Sequence, residues 1–215
     1  PDHCSALIKV LKDGSDILFG HTTWDDYQNM APRIFKRLRL RWPGGGEEDL
    51  QFSSSPGMLS SVDDYYTVNR AGPAWGDADN VKSSSLVVIE TSIDVFNNDI
   101  MQFVVPESLL SWMRVRLATQ LASSGSTWAQ IFQRHYSGTY VNQWMVLDLT
   151  RFDAEGEGST STNAGGNGND NVKRNRHAEK EGSGDPHAHI MQDGLLTVLE
   201  ELPGLVVWQD VTNVL

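Results

Sequence analysis

The stretch that decides the fold is CSALIKVLKDGSDILFGHTTW, residues 4–24. Two runs of apolar and β-branched residues flank Asp13-Gly14 within it. Asp-Gly between two such runs is a strong hairpin signal, because glycine accepts the positive φ that a tight turn needs. The sequence therefore predicts an antiparallel β-hairpin with one strand on each side of this turn.

The register of the predicted hairpin brings a thiol and an imidazole to one face. Counting back from the turn pairs Ala6 with His21 and Cys4 with Thr23. Side chains alternate between the two faces of a strand, so Cys4 and His21 are diagonal neighbours, roughly 7–8 Å apart at the backbone. Trp24 falls on the opposite face and needs a bend to join them. A lone strand cysteine is usually a small buried hydrophobe, but a thiol beside a histidine is a candidate nucleophilic site.

Composition limits the classes of protein that the chain can represent. A length of 215 residues is enough for one large domain or part of one. The net charge of −11 argues against binding to nucleic acid, whose phosphates need clustered Lys and Arg. The longest apolar runs, such as Leu86–Ile89, are far shorter than the ~20 residues of a membrane-spanning helix. We expect neither a nucleic-acid partner nor a transmembrane span.

Hydrophobic periodicity predicts an α/β protein, with helices and strands along the whole chain. The predicted helices are Tyr27–Leu40, a segment after Pro106 with an apolar stripe ending at Leu121, a segment from the Thr127 capping box to about His135, and Leu195–Leu202. The predicted strands are Met58–Val62, Tyr65–Val68, Ser85–Ser92, Tyr140–Leu149 and Leu205–Trp208. Leu86–Ile89 is uninterrupted and apolar, which predicts a strand covered on both faces.

Polar side chains at two strand positions are further site candidates. Thr91 ends the predicted buried strand, where site residues often lie, although threonine is also an ordinary β-former. Asn142 puts an amide into a strand built for burial, and a buried amide needs a partner. Donation to a reaction oxyanion would satisfy it. The acid pairs Asp63-Asp64 and Glu200-Glu201 do not make a glycosidase pair, since adjacent acids on one element point apart, and we expect them to be surface or capping groups.

The composition changes sharply at Ala154–Ala188. This stretch is rich in Gly, Ser, Thr, Asn and mixed charges, with Val172 its only sizeable apolar residue. It cannot bury enough surface to offset the entropy of ordering, so we expect a mobile insertion within one domain, residues 1–215. His187 and His189 have a spacing found in metal sites but no companion cluster, so no metal is predicted there.

Several blocks, in this order along the chain, resemble the phospholipase B-like family: Cys4–Lys9, Phe19–Trp24, Arg33–Lys36, Ser55–Ser61, Asp63–Tyr66, Leu86–Thr91, Ser137–Tyr140, Asn142–Asp148 and Leu199–Gly204. The resemblance implies an N-terminal nucleophile hydrolase with a four-layer α-β-β-α sandwich. In that family the precursor is cut immediately before the cysteine, and the new α-amine serves as the base for the thiol. The cut would fall between His3 and Cys4.

The resemblance also implies what the protein acts on and where. The reaction would be hydrolysis of an acyl ester or amide of a lipid-like substrate, without a cofactor. Catalytic roles would fall to Cys4, His21, Thr91 and Asn142, and Trp24 would contact the substrate. The implied partners are the upstream fragment of its own precursor and, as an open alternative, a second copy in a homodimer. The implied location is the lysosome or the secreted space.

Two other functions are compatible with the same residues. The chain could be a non-catalytic lipid- or partner-binding protein of the same fold, because the nitrogen of Cys4 has no basicity while the His3–Cys4 peptide bond stands. It could also be a cytosolic thiol enzyme that uses His21 as its base and needs no cleavage.

Overall fold

The computed structural model describes residues 4–42, 45–72, 83–154 and 190–215. The predicted insertion, residues 154–188, lies outside the described residues apart from Ala154. Within the described ranges the strands are β1 Cys4–Val10, β2 Ile17–Thr23, β3 Ile34–Arg41, β4 Glu47–Ser54, β5 Tyr66–Ala71, β6 Ser84–Ser92, β7 Asn142–Asp148, β8 Leu196–Leu202 and β9 Leu205–Asp210, and the α-helices are α1 Tyr27–Met30, α2 Ser111–Leu121 and α3 Gly125–Phe132.

The predicted hairpin forms with the predicted register. Strands β1 and β2 pair antiparallel, with Cys4 opposite Thr23 and Ala6 opposite His21. The turn closes through the backbone N–H of Leu11, which donates to the carbonyl of Asp16 at 2.9 Å. Gly14 within the turn has a φ of 67°, the left-handed conformation that glycine adopts at little cost. Local sequence therefore decided this element.

The other seven strands form one antiparallel sheet in the order β3-β4-β5-β6-β7-β8-β9. Strand β6 lies at its centre and is buried on both faces, as its apolar run predicts. Leu86 and Val88 belong to a core shared with α2 and α3, whereas Val87 and Ile89 belong to a core shared with the hairpin. The described residues thus form three layers: hairpin, sheet and helices. The mixed α/β class is confirmed.

The predicted helix Tyr27–Leu40 is wrong except for its first turn. Helix α1 ends at Met30, and the chain then enters strand β3. The half-buried Leu38 and Leu40 alternate there with exposed arginines. A spacing of four fits a helix face and also one face of a strand, so the pattern was ambiguous. Pairing with β4, whose Asp49 accepts hydrogen bonds from Arg37 at 2.8 and 2.9 Å, accompanies the extended form.

Strand assignment was also wrong at three other places. Met58–Val62 forms turns and bends, and β4, Glu47–Ser54, was missed because its three acids are poor strand formers. Leu195–Leu202 was predicted as a helix but forms β8, hydrogen-bonded between β7 and β9. Whether a short apolar segment forms a helix or a strand depends on the elements that pack beside it, and here the neighbours on both sides are strands.

Helix α2 packs with a different face from the predicted one. The predicted leucine stripe stays at the surface, with Leu117 45% and Leu121 39% exposed. The small residues Val115 and Ala118 face the sheet instead. The buried guanidinium of Arg114, on the same helix, lies 3.7 Å from Glu201 of β8. Helix α3 confirms the helix predicted after Thr127, but its capping box is formed by Ser124 and Thr127 rather than starting at Thr127, and it ends at Phe132, before the predicted His135.

Candidate active site

Cys4 and His21 occupy the hairpin face that packs on the central sheet. The neighbouring residues Ala6, Ile8 and Phe19 on this face join the core around Val87 and Ile89. Cys4 is half-buried as the first residue of β1, and the side chain of His21 is only 2% exposed. The predicted juxtaposition of thiol and imidazole is therefore present, and it lies between two β layers.

The sheet contributes a buried carboxylate to this pair, which the sequence analysis did not identify. Glu90 directly follows the apolar run of β6 and is 1% exposed. Its Oε1 lies 3.8 Å from Nε2 of His21. The sulfur of Cys4, a carboxylate oxygen of Glu90 and a ring nitrogen of His21 all lie within 4.8 Å of one another. An acid that interrupts a buried strand needs a partner, and that signal was available in the sequence.

Asn142 holds this carboxylate from the neighbouring strand. Its amide nitrogen donates to Oε2 of Glu90 at 3.0 Å and to the carbonyl of Val141 at 2.9 Å, in the amide orientation that satisfies both ends. Asn142 is 2% exposed. The predicted need of its amide for a partner is met by Glu90, and donation to an oxyanion stays a prediction.

Two residues with a strained backbone, Asp64 and Tyr140, lie beside the cluster formed by Cys4, His21 and Glu90. Tyr140 donates a hydrogen bond from its hydroxyl to Oδ2 of Asp64 at 2.5 Å. Both residues have positive φ, 51° for Asp64 and 57° for Tyr140. Side-chain-bearing residues in this conformation cost about 1–3 kcal/mol each, and such strain concentrates at functional sites. Neither residue was predicted to belong to the site.

Electrostatics around Cys4 favour the neutral thiol. Burial, the charge of Glu90 and a hydrogen bond to Glu90 together raise the pKa of Cys4 to about 12. A hydrogen bond with the backbone of Trp24 acts in the opposite direction and lowers this pKa. With the site as described, the thiol needs a base or the loss of a negative neighbour before it becomes a nucleophile.

Burial also raises the pKa of the Asp64 carboxyl group. Its side chain is enclosed, and this raises its pKa to about 7, with the hydrogen bond from Tyr140 partly opposing the shift and the charge of Glu90 adding to it. The expectation that Asp64 and Glu201 lie at the surface is wrong, because they are 5% and 0% exposed. The neighbouring Glu200 is exposed, so this pair of adjacent acids points apart as expected, whereas Asp63 is partly buried and lies 3.0 Å from Arg33.

The structure places the remaining predicted residues at the margin of the site. Trp24 contacts Cys4 through its backbone, while its side chain is 56% exposed. Thr91 is half-buried one residue beyond Glu90 and pairs with Gln143 across the sheet. A cavity of about 350 Å³ opens beside His21. A second, of about 310 Å³, opens beside Asp64 and Tyr140. The first cavity therefore reaches the histidine of the site, and the second reaches the neighbouring acid and tyrosine.

Among the described residues, a metal ion would find three suitable donors at Cys4, His21 and Glu90. Thiolate, imidazole and carboxylate are the side-chain ligands of zinc. His187 and His189, where no metal was predicted, lie outside the described residues. In the described part of the chain, no helix has both the length and the apolar character needed to cross a membrane.

These features define a mixed α/β protein in which a buried histidine and a buried carboxylate face a half-buried thiol. A sequence model of the family described as phospholipase B matches residues 1–215. The chain belongs to the phospholipase B family, which confirms the resemblance seen in its sequence blocks.

Curated relatives carry the same family name. Phospholipase B-like 1 of Homo sapiens is 36% identical over 215 residues, covering 99% of this chain and 30% of that protein. Phospholipase B-like protein C of Dictyostelium discoideum is 34% identical over 218 residues, with coverage of 99% and 30%. Phospholipase B of Crotalus adamanteus is 35% identical over 215 residues, again covering 99% and 30%. The chain spans about 30% of the length of these relatives.

Proposed function

We propose that this chain carries the nucleophile of an acyl hydrolase that cleaves the amide or ester bond of a lipid-like substrate. The observation that carries the proposal is the thiol of Cys4 on the hairpin face next to the buried His21 and Glu90. Membership of the phospholipase B family supports the lipid-like substrate. By the same family relationship, the three layers would be part of a four-layer α-β-β-α sandwich.

The first proposed step is cleavage of the chain before Cys4. The sulfur of Cys4 attacks the carbonyl carbon of His3, the C–N bond to Cys4 breaks, and a thioester forms while the nitrogen takes up a proton as a free amine. Water then hydrolyses the thioester, which releases His3 as a carboxylate and restores the thiol. The upstream fragment of the precursor is thereby the first partner of the site.

Turnover then uses the new α-amine as the base. An α-amine has an ordinary pKa of about 7.7–8.0, so near neutral pH part of it is free to accept the thiol proton. The thiolate attacks the acyl carbonyl, the ammonium returns the proton to the leaving alcohol or amine, and a thioester of the substrate remains. Water hydrolyses that thioester and releases the fatty acid.

The other side chains have supporting roles in this proposal. His21 orients the thiol and the amine, because one of its ring nitrogens lies within 4.8 Å of the sulfur of Cys4 and of a carboxylate oxygen of Glu90. Asn142 can release the carbonyl of Val141 and donate to the oxyanion, and one good oxyanion donor is worth ~3–4 kcal/mol. Thr91, next to Glu90 in β6, and Trp24, whose backbone contacts Cys4, would contact the substrate at the edge of the site. The family relationship supports a lysosomal or secreted location as part of this proposal, with a homodimer as the alternative to a monomer.

A non-catalytic lipid- or partner-binding protein is the second candidate function. The observation that favours it is the pKa of the Cys4 thiol, raised to about 12 by burial and by Glu90. While the His3–Cys4 peptide bond stands, Cys4 has no amine to overcome that shift. A chain that is never cut would keep an inert thiol in a pocket.

Intact mass measurement during incubation at mildly acidic pH tests the proposal. We expect loss of Pro1–His3 from the wild-type chain, no loss from Cys4→Ala, and hydrolysis of a lysophospholipid or a fatty-acyl amide only by the cut protein. A Cys4→Ala chain that still cuts itself before residue 4 would refute the mechanism. Persistence of the uncut chain with bound lipid would favour the binding protein.

A further inference from the structure

A buried imidazole nitrogen without a hydrogen-bond partner faces Cys4 and Glu90. The side chain of His21 is 2% exposed, and its Nε2 makes no hydrogen bond within the described part of the chain. Its nearest ionic neighbour there, Oε1 of Glu90, is at 3.8 Å, too far for a hydrogen bond. Buried polar nitrogens are normally satisfied, so this nitrogen points to something that sits between the two side chains.

The separations of the donor atoms match those around a small tetrahedral cation. Zinc bonds of ~2.0–2.3 Å place neighbouring ligand atoms of a tetrahedron roughly 3.3–3.8 Å apart. The 3.8 Å between Nε2 of His21 and Oε1 of Glu90 is at the upper end of that range. The three donor atoms, including the sulfur of Cys4, lie within 4.8 Å of one another. Closing the site therefore requires the separations between donor atoms to shrink by at most about 1.5 Å, within reach of side-chain adjustment.

We propose that Cys4, His21 and Glu90 form a three-ligand site for Zn²⁺, and that the bound ion blocks the nucleophile. Thiolate and imidazole select zinc over Mg²⁺ and Ca²⁺, which require oxygen ligands. Asn142 stands behind the site as the hydrogen-bond partner of Glu90 and fixes the orientation of that carboxylate. Three protein ligands leave one position of a tetrahedron for water.

Binding exchanges a proton for the ion and changes no oxidation state. The thiol of Cys4 loses its proton to solvent, its sulfur forms the bond to zinc, and His21 and Glu90 donate as the neutral ring and the carboxylate. The sulfur shares one of its electron pairs with the metal, which lowers its nucleophilicity toward an acyl group or an alkylating reagent. The three ligands are present whether or not the chain is cut, so metal binding does not depend on the proposed hydrolase function, whereas the blocking of a nucleophile rests on it.

Cobalt(II) is the direct spectroscopic probe of this site. Titration of the purified chain with CoCl₂, in a phosphine reductant that does not compete for metal, should give a thiolate-to-cobalt charge-transfer band in the near ultraviolet at one ion per chain. Zn²⁺ should displace the cobalt and protect Cys4 from iodoacetamide, a clear readout because the chain has one cysteine. Chelation should restore alkylation.

Variants separate this site from adventitious binding. Cys4→Ala should abolish the band, and His21→Gln and Glu90→Gln should weaken cobalt binding at least about 100-fold, beyond the ~10–100-fold expected of Asn142→Ala as an outer partner. His135→Asn, a change of an exposed histidine, is the matched control and should leave binding unchanged.

Two results would overturn the inference. The first is a wild-type chain that shows no sulfur band and no zinc protection, a result that requires no variant to fold. The second is binding that persists in Cys4→Ala, for example through His187 and His189. Hydrolysis by a chain that binds no zinc would leave the proposed function intact, so the two failures are distinguishable.

Discussion

Replacing Glu90 by Gln should lower the pKa of the Cys4 thiol, because it removes the negative charge that opposes the thiolate. The charge lies within 4.8 Å of the sulfur. At this distance an effective dielectric constant of about 20 gives a repulsion of ~3.5 kcal/mol, equivalent to ~2.5 pKa units. Cys4 is only half-buried, so solvent screens part of this, and we expect a fall of roughly one to two units.

The alkylation rate of Cys4 by iodoacetamide measures this change. At about pH 8 the thiolate fraction should rise ~10–100-fold, and because a less basic thiolate is also less nucleophilic, the observed rate should rise ~3–10-fold. The chain has one cysteine, so the rate reports this site alone. The comparison should use uncut protein, in which no α-amine contributes.

The exposed acid Glu200 provides the matched control for this experiment. Glu200→Gln changes charge equally but lies on the outward side of β8, where its carboxylate accepts a hydrogen bond from Gln143. Its alkylation rate should equal that of the wild type. An unchanged or slower rate in Glu90→Gln, with the melting temperature preserved, would refute the role of Glu90 in setting the thiol pKa.

Two further predictions concern stability. Asp64 has a folded pKa of about 7 against 3.8 ordinarily, so the native state binds more protons between these values, and the free energy of unfolding should fall as pH rises from about 4 to about 7. Asp64→Asn should remove roughly 3–5 kcal/mol of that pH dependence. Urea titrations of both proteins at pH 4 and pH 7 check this. If the free energy of unfolding of Asp64→Asn changed with pH as much as that of the wild type, the burial argument would be contradicted. Gly125→Ala would place a Cβ 2.3 Å from Oγ1 of Thr197 at the join of α3 and β8, so thermal unfolding should show a loss of ~1–3 kcal/mol; a neutral effect would mean that the helix can shift.

Local signals predicted the elements that depend on neighbours in sequence. The turn at Asp13-Gly14 fixed the register that puts Cys4 beside His21, since a hairpin forms from one contiguous segment. The apolar run Leu86–Ile89 correctly indicated a strand buried on both faces. The same reasoning failed for Tyr27–Leu40 and Leu195–Leu202, because whether such segments are extended depends on strands that are distant in sequence.

The residues of the candidate site also fall into two groups, those predicted from local sequence and those brought together only by packing. The face shared by Cys4 and His21 followed from the alternation of side chains along one hairpin, and the family followed from ordered blocks of sequence. Glu90, Asp64 and Tyr140 come from other segments, and their approach to the hairpin depends on how it packs on the sheet. Their effect on the thiol pKa arises from burial and charge at short distance, which are properties of packing. The sequence by itself therefore predicted the thiol of Cys4 and its histidine neighbour, while only the tertiary structure decided the buried carboxylate beside them and the raised pKa of the thiol.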